Sequence, residues 1–510
     1  MPTPRTAGLP LRSQYLVDQE RPAQFPAWLK DRRVKSVHPG RWSWYVTPLL
    51  AVVSLSANAQ DTRLVDAAKA SDATTVGRLL DQGTDANARQ PDGATALHWA
   101  AHWDDVEMAA ALLQAGAAVD VTNDFGVTPL WLACLNGNAT MIESLLTAGA
   151  NANTALPSGE TALMTASRTG SEAAVKLLLT HGANVNTQEH SRGQTALMWA
   201  VSQQHPDVVK ALIELGADVH ARSDTRPRRI HTRTAGFEPT GVTDITQGGY
   251  TPMLFAARQG NVDVARHLVA AGGDVNDVAP SGTSALVVAV HSGGTALATF
   301  LLEQGADPNA IEAGYSALHA ATLRGDEILA KALLTAGADP DTPVTRGSPG
   351  RRNSPDYVLE HDVVGATAFW LAASFAEPVI MRALVDNGAT PHSVMEDGTT
   401  PLMAATRARR RVEPGLTPNP IEDEKVVMEA ARVAIDAGND VNATDAAGNT
   451  ALHTAASRRL STVVQLLADS GANLNAQNEE GQTPLAMAVG RGRTENSTAA
   501  LLRRLGAEDR

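Results

Sequence analysis

The side chains able to do covalent or acid–base chemistry in this 510-residue chain are few and scattered. A single cysteine, Cys134, excludes an intrachain disulfide and a cysteine-based zinc site, and its expected role is that of a small buried hydrophobe. His231, His291 and His361 are the side chains most able to serve as general bases beneath long loops. His98, His319 and His453 each recur at one position of a repeated pattern, so none has a second ligand beside it and metal chemistry is not expected. No serine nucleophile elbow, phosphate-binding glycine loop or dinucleotide fingerprint is present in the sequence. The expectation is a non-enzyme with no metal and no cofactor.

What remains is recognition by arginines and aromatics, which supply bidentate charge-assisted hydrogen bonds and large contact areas. Arginines concentrate in three segments. The first, 222–248, holds Arg222, Arg226, Arg228, Arg229 and Arg233; the second, 342–363, holds Arg346, Arg351 and Arg352; the third, 407–422, centres on Arg409-Arg410-Arg411. All three are rich in Gly, Pro and Thr and are expected to be loops, not stable helices. Their guanidinium groups suit carboxylates or phosphates.

The formal charge is −13; residues 1–59 carry eight Lys/Arg against three Asp/Glu, which leaves −18 on the rest. So acidic a body is not expected to wrap nucleic acid. Basic Arg32, Arg33, Lys35 and Arg41 precede an apolar run from Trp42 to Leu55, followed by Ser56-Ala57-Asn58-Ala59. That is the order of a secretory leader with an A-x-A cleavage site, and its apolar run is short of the roughly 20 residues that span a bilayer. Residues 1–59 are therefore expected to be a leader cleaved after Ala59, with translation starting near Val34 or Val37. Residues 60–510 would then be exported to a periplasm or the extracellular space with no membrane span.

The elements that must position the arginines and aromatics come from a period. A glycine recurs at 93, 126, 159, 193, 249, 282, 314, 365, 398, 448 and 481, mostly in steps of 32–34, with the three longer steps falling at the three arginine segments. After it stand Thr95, Thr128, Thr161, Thr195, Thr251, Thr367, Thr400, Thr450 and Thr483, each placed to cap a helix N-terminus, with Pro129, Pro252, Pro401 and Pro484 at the first helical position. About 21 residues on comes Leu-Leu-x-x-Gly-Ala, whose glycine ends a second helix, as in Leu112 to Ala117 and Leu145 to Ala150. Gly137, Gly170, Gly260, Gly293 and Gly325 divide the two helices. Each helix is too short to stand alone in water and must bury its stripe against the next unit.

Asp92-Gly93-Ala94-Thr95-Ala96-Leu97-His98 and Gly448-Asn449-Thr450-Ala451-Leu452-His453, with closing runs such as Gly182-Ala183-Asn184-Val185-Asn186, resemble ankyrin repeats. The resemblance implies an all-α solenoid of about eleven helix-turn-helix units plus an N-terminal capping unit over Gln60 to Gln90. It also implies fingers between units, a histidine that links backbone groups of neighbouring fingers, and a concave face that holds partners. Most units replace the histidine with Trp131, Met164, Met198, Leu254, Val287, Trp370, Met403 or Ala486. Trp99, Leu132, Trp199, Phe255, Val288 and Leu371, one position later, are expected to pack inside the helix pair.

The register assigns the concave face to His102, Trp103, Phe125, Leu135, Arg168, Gln203, Tyr250, Arg258, His291, Tyr315, Leu323, Arg324 and Phe375. Segments one and two lengthen fingers; segment three falls between the helices of its unit. The expected function is a protein-binding scaffold or adaptor, its partner of unknown identity and suited to be anionic, held on this face and the long fingers. The alternative is a fixed, non-catalytic or ligand-sensing subunit of an envelope complex, and behind it a cryptic enzyme drawing on His231, His291 or His361 under the long fingers.

Overall fold

The computed structural model describes residues 61–233, 241–349, 358–360, 363–408, 419–490 and 496–508. Residues 1–60, where the leader and its cleavage after Ala59 are expected, and Arg351, Arg352, His361 and Arg409-Arg410-Arg411 lie outside the described residues.

The threonines and serines act as the sequence dictates. Thr128 Oγ1 accepts the Trp131 N–H at 3.1 Å, Thr161 that of Met164 at 3.2 Å and Thr400 that of Met403 at 3.2 Å. Each opens a short helix, and in most units a nine-residue second helix follows after a left-handed residue. That residue is Gly137, Gly170, Gly260, Gly293 or Gly325 in five units, but Asp104, Gln204, Ala376 and Arg459 take the same positive φ elsewhere. The capping unit is complete, with helices Arg63–Lys69 and Ala73–Asp81.

First helices stack on first helices and second on second: Ala96–Trp103 packs on Pro129–Asn136, and that on Ala162–Thr169. The leucine after each cap is the nail of the stack, with Leu97, Leu130, Leu163, Leu197, Leu318 and Leu452 all buried. Each contributes about 1.5–3 kcal/mol relative to an exposed side chain. Fully buried Ala100, Ala133, Ala166 and Ala200 keep neighbouring helices close. The fingers add polar stitches: Asn153 Oδ1 accepts the Asn184 N–H at 2.7 Å while its Nδ2 donates to Gly182 O at 2.8 Å, and Asn442 does the same with Asn473 and Gly471. Each such asparagine satisfies a carbonyl and an N–H just past the second helix of the following unit, which is one reason a unit needs its neighbour.

The arginine segments depart from the loop expectation. Segment one forms a hairpin of β1 (Thr225–Arg233) and β2 (Gly241–Gly248), antiparallel from Thr225 opposite Gly248 to Thr232 opposite Gly241. Segment two supplies β3 (Ser348–Pro349) and β4 (Val358–Glu360). β4 runs parallel to β1, with His231 opposite Val358 and Arg233 opposite Glu360, which gives one four-stranded sheet in the order β2-β1-β4-β3. Two long fingers, separated by three repeat units, are thus joined. The helical array carries a β element that local composition did not announce, since its central pairing is long-range.

Segment three is corrected in a different way. Its second helix, Pro420–Asp436, runs 17 residues where most second helices run nine, so the end of the 407–422 segment is helical. Asn419 caps it, accepting the Ile421 N–H at 3.2 Å, and Pro420 sits in its first turn, both of which favour a helix start that the glycine and proline count concealed.

Candidate functional site

The side chains assigned to the partner-facing surface lie mainly on the last turns of the first helices and at the finger residues before each cap. At the N-terminal end Trp99, His102 and Trp103 share the helix Ala96–Trp103. Trp99 and Trp103 stack at 6.2 Å, and the His102 ring meets Trp103 edge-on at 4.7 Å. Trp103 is 44% exposed, yet its Nε1 donates to Lys69 O at 3.1 Å and holds the ring in place; Phe125 is 46% exposed. Trp99 was expected in the core; it is half-buried, with Lys69 Nζ 5.1 Å from its ring centre. Leu135 is half-buried, and Gln203 is exposed at the end of helix Ala196–Ser202.

Further along, arginines lie against aromatics. Arg168 stands 5.4 Å over Trp199 and 3.5 Å from the Glu160 carboxylate. Burial of Arg168 lowers its pKa, and Glu160 opposes that effect. Trp199, like Trp99, is half-buried, whereas Leu132, Phe255, Val288 and Leu371 are in the core as expected. Arg258 lies 5.4 Å from Phe255 and 5.9 Å from Tyr250, whose rings meet edge-on at 5.7 Å. Arg324 Nη1 donates to His291 O at 2.7 Å, and the His291 ring meets Tyr315 at 5.3 Å. Phe375 is half-buried.

Tyr315 and Leu323 are corrections. They are 5% and 2% exposed, closed in by neighbouring units, so they support the surface without presenting themselves on it. His291 is likewise unsuited to base catalysis near neutral pH, because burial and the Arg324 charge push its pKa down to about 4. The tryptophans missed as surface residues had a readable signal: they stand three or four residues before the last-turn positions and so share their helix face.

In the long fingers, Arg226 and Arg229 are exposed and Arg228 is half-buried; Arg229 Nε donates to Asp244 Oδ1 at 3.0 Å across the hairpin. Arg233 pairs through its backbone opposite Glu360, and its side chain lies outside the described residues. Arg222 roots the finger, donating to Gly249 O, Val278 O and the buried Asp277 carboxylate.

His98 and His453 act as structural links, whereas His319 only caps its own helix through Ser316, its Nε2 having no hydrogen-bond partner among the described residues. His98 Nδ1 accepts the Thr95 N–H at 3.2 Å, so Nε2 carries the proton and donates to Val127 O of the next finger at 3.0 Å. His453 makes the same pair of bonds with Thr450 and Gln482. Cys134 is fully buried, and burial pushes its thiol pKa upward. Among the described residues no group of three or more His, Cys, Asp or Glu could hold a metal ion, and no helix is long and apolar enough to cross a membrane.

Known proteins share this pattern. Profiles described as "Ankyrin repeats (3 copies)" match residues 64–155, 136–223, 235–312 and 253–344, and one described as "Ankyrin repeats (many copies)" matches 434–488. Among curated proteins the chain is similar to the E3 ubiquitin-protein ligase KEG of Arabidopsis thaliana, 39% identical over 88 residues, 17% of this chain and 5% of that protein. It is also similar to neurogenic locus notch homolog protein 1 of Xenopus tropicalis, 31% identical over 144 residues, 25% of this chain and 6% of that one. The chain therefore spans only about a twentieth of these relatives. A solved structure of the human ASB11 ankyrin repeat domain aligns with 48% of this chain and 98% of its own, at 27% identity and a TM-score of 0.39. Residues 345–433, between the profile matches, continue the same helix pairs at Ala368–Ser374 with Pro378–Asp386 and at Pro401–Arg407 with Pro420–Asp436. With its period, caps, finger stitches and histidine links repeated along the stack, the chain belongs to the ankyrin repeat proteins.

Proposed function

We propose that this chain is a non-catalytic, exported binding scaffold that holds a protein partner along the first-helix side of its array, with the long fingers as a second contact. Ankyrin repeats are protein-binding scaffolds as a class; the place, the surface and the setting are specific to this reading. One observation carries it: Trp103 and Phe125 stand 44% and 46% exposed, and Trp103 is fixed by stacking and a backbone hydrogen bond. A rigid, half-exposed aromatic is the side-chain type that anchors interfaces at small entropic cost. Export rests on the leader pattern of residues 32–59.

The test uses affinity capture from envelope extracts by the full array and by the double variant Trp103→Ala/Phe125→Ala. A partner retained in stoichiometric amount by the array and lost by a variant of unchanged melting temperature is the expected result. Equal capture by both would remove this face from the reading. A partner that resists high salt would favour a fixed subunit over a transient adaptor. N-terminal sequencing of the mature chain tests export, and a start upstream of Trp42 would sink it.

A further inference from the structure

The sheet built by the two long fingers ends in two edges, β2 and β3. β3 is two residues long and too short to template another strand; β2 is eight residues long and pairs with β1 alone. One hydrogen bond fixes the phase of the hairpin: the Gly249 N–H donates to Asp224 O at 3.1 Å, one step beyond the Thr225–Gly248 pair. In an antiparallel ladder hydrogen-bonded pairs alternate with unbonded ones, so Arg226–Gln247, Arg228–Ile245 and Ile230–Thr243 are the bonded pairs. The backbone N–H and C=O groups of Val242, Asp244 and Thr246 therefore face away from β1. Pro227, which has no N–H to give, stands in β1 opposite Thr246, where β2 asks for none.

Edge strands of natural proteins are guarded by lysine, proline, bulges or brevity. β2 has none of these guards: its register is unbroken from Gly248 to Gly241, and Val242, Thr243, Ile245 and Thr246 are β-branched. Its one charge, Asp244, is engaged by Arg229 on the opposite strand, whose Nε donates to Oδ1 at 3.0 Å. Val242, Asp244 and Thr246 are all exposed, Val242 by 56%. Their outward main-chain groups meet no backbone partner among the described residues. The edge is long, open and ready to pair.

We infer that β2 takes an extended acidic segment of a partner protein as a fifth strand of the sheet, bonded through its main chain to Val242, Asp244 and Thr246. In strand addition the backbone hydrogen bonds hold the segment and the side chains select it. The inference rests on the scaffold reading above, in which the long fingers are a second contact, and states what that contact takes. Charge selects the occupant. The four strands carry Arg226, Arg228, Arg229 and Arg233 against Asp244 and Glu360, a net +2. Arg226 is exposed on β1, and an added strand lies two strand spacings away, about 9.5 Å, within the roughly 10 Å over which charges act at 0.1 M salt. A second copy of this chain would instead set cations against cations and one body of −18 against another.

Fluorescence anisotropy and amide hydrogen exchange on the full chain test this with the labelled peptides (Thr-Glu)6 and (Thr-Lys)6. In the free chain the amides of Asp244 and Thr246 are expected to exchange at least tenfold faster than those of Ile245 and Gln247. Saturation with (Thr-Glu)6 should slow Asp244 and Thr246 at least tenfold, and (Thr-Lys)6 should bind at least tenfold more weakly. Thr246→Pro deletes an outward N–H and no bond to β1, so it should weaken (Thr-Glu)6 at least fivefold while Ile245 and Gln247 stay protected. Should that variant lose their protection, exchange on the unaltered chain decides. No binding of (Thr-Glu)6, binding that leaves Asp244 and Thr246 exchanging as before, or equal binding of (Thr-Lys)6 overturns the inference. Dimerisation in sedimentation that Thr246→Pro abolishes also overturns it, since the occupant would then be a second copy. Partner capture that still depends on Trp103 and Phe125 would leave the scaffold reading standing in each case, and loss of that capture as well would remove the two together.

Discussion

Arg222 Nη2 donates at 2.5 Å to the carboxylate of Asp277, a residue one full repeat unit further on whose side chain is 8% exposed. The other carboxylate oxygen accepts from the hydroxyl of Thr251, the cap of the helix between them. Arg222 thus ties the root of the first long finger to the next finger and to the helix that follows.

Replacing Arg222 by Ala leaves Asp277 in its buried place with Thr251 alone. Because Arg222 is itself half-exposed, the expected loss lies below that of a fully buried pair, about 1–3 kcal/mol. Chemical denaturation measures it. Asp277→Asn, which keeps an acceptor and removes the charge, is expected to cost less than Arg222→Ala.

The buried histidines make the array acid-sensitive. Burial pushes His98 and His319 down to about 4 from an ordinary 6.5. Their folded pKa is depressed, so the stabilisation is complete above pH 6.5 and is lost as pH falls toward 4, where the unfolded chain takes up protons that the folded one refuses. Each is expected to cost on the order of 2 kcal/mol at pH 5. Melting temperatures recorded from pH 7.5 to 4.5 should fall across that window, and a profile flat between pH 6.5 and 5 would contradict neutral histidine caps.

Arg459 occupies the left-handed turn between Ala451–Ser457 and Ser461–Asp469 at φ 60°, where other units place glycine, and its side chain is exposed. A non-glycine residue there carries about 1–2 kcal/mol of strain, part of which glycine returns as entropy of the unfolded chain. Arg459→Gly is expected to stabilise by about 0.5–1 kcal/mol, seen as a higher melting temperature.

Leu359 in β4 sits opposite Thr232 in β1 and Pro349 in β3. Leu359→Pro removes an N–H from the centre of that ladder. The amides of 230–233 are expected to lose hydrogen-exchange protection while helical circular dichroism stays the same. Retained protection would show that β1 and β2 hold without β4.

The sequence was most legible where chemistry is local. A threonine before Pro-Leu or Ala-Leu, a glycine 21 residues on and an Asn in the closing run each act within one unit or on the next, and the structure places them as spacing implies. The site was half legible. Trp103 and Phe125 are exposed and Arg168 and Arg258 half-buried, whereas Tyr315 and Leu323 are covered by neighbours, and Trp99 and Trp199 are half-buried beside the groups they were expected to lie beneath. Burial at those positions depends on the bulk of the adjacent unit, which no single repeat contains. The sheet was not legible. The stretch Thr225–Arg233 is charged and holds Pro227, and its parallel partner lies more than 120 residues away.

That parallel pairing also limits how the gene can change length. In an uninterrupted array, a unit can be duplicated or dropped anywhere, because each touches only its neighbours. Between β1 and β4 that freedom is gone: one unit more or fewer would displace His231 from Val358 by a whole layer of helices. The count of three units between the two fingers is therefore a fixed number, set by strand register, in a molecule whose other stretches can lengthen by copying.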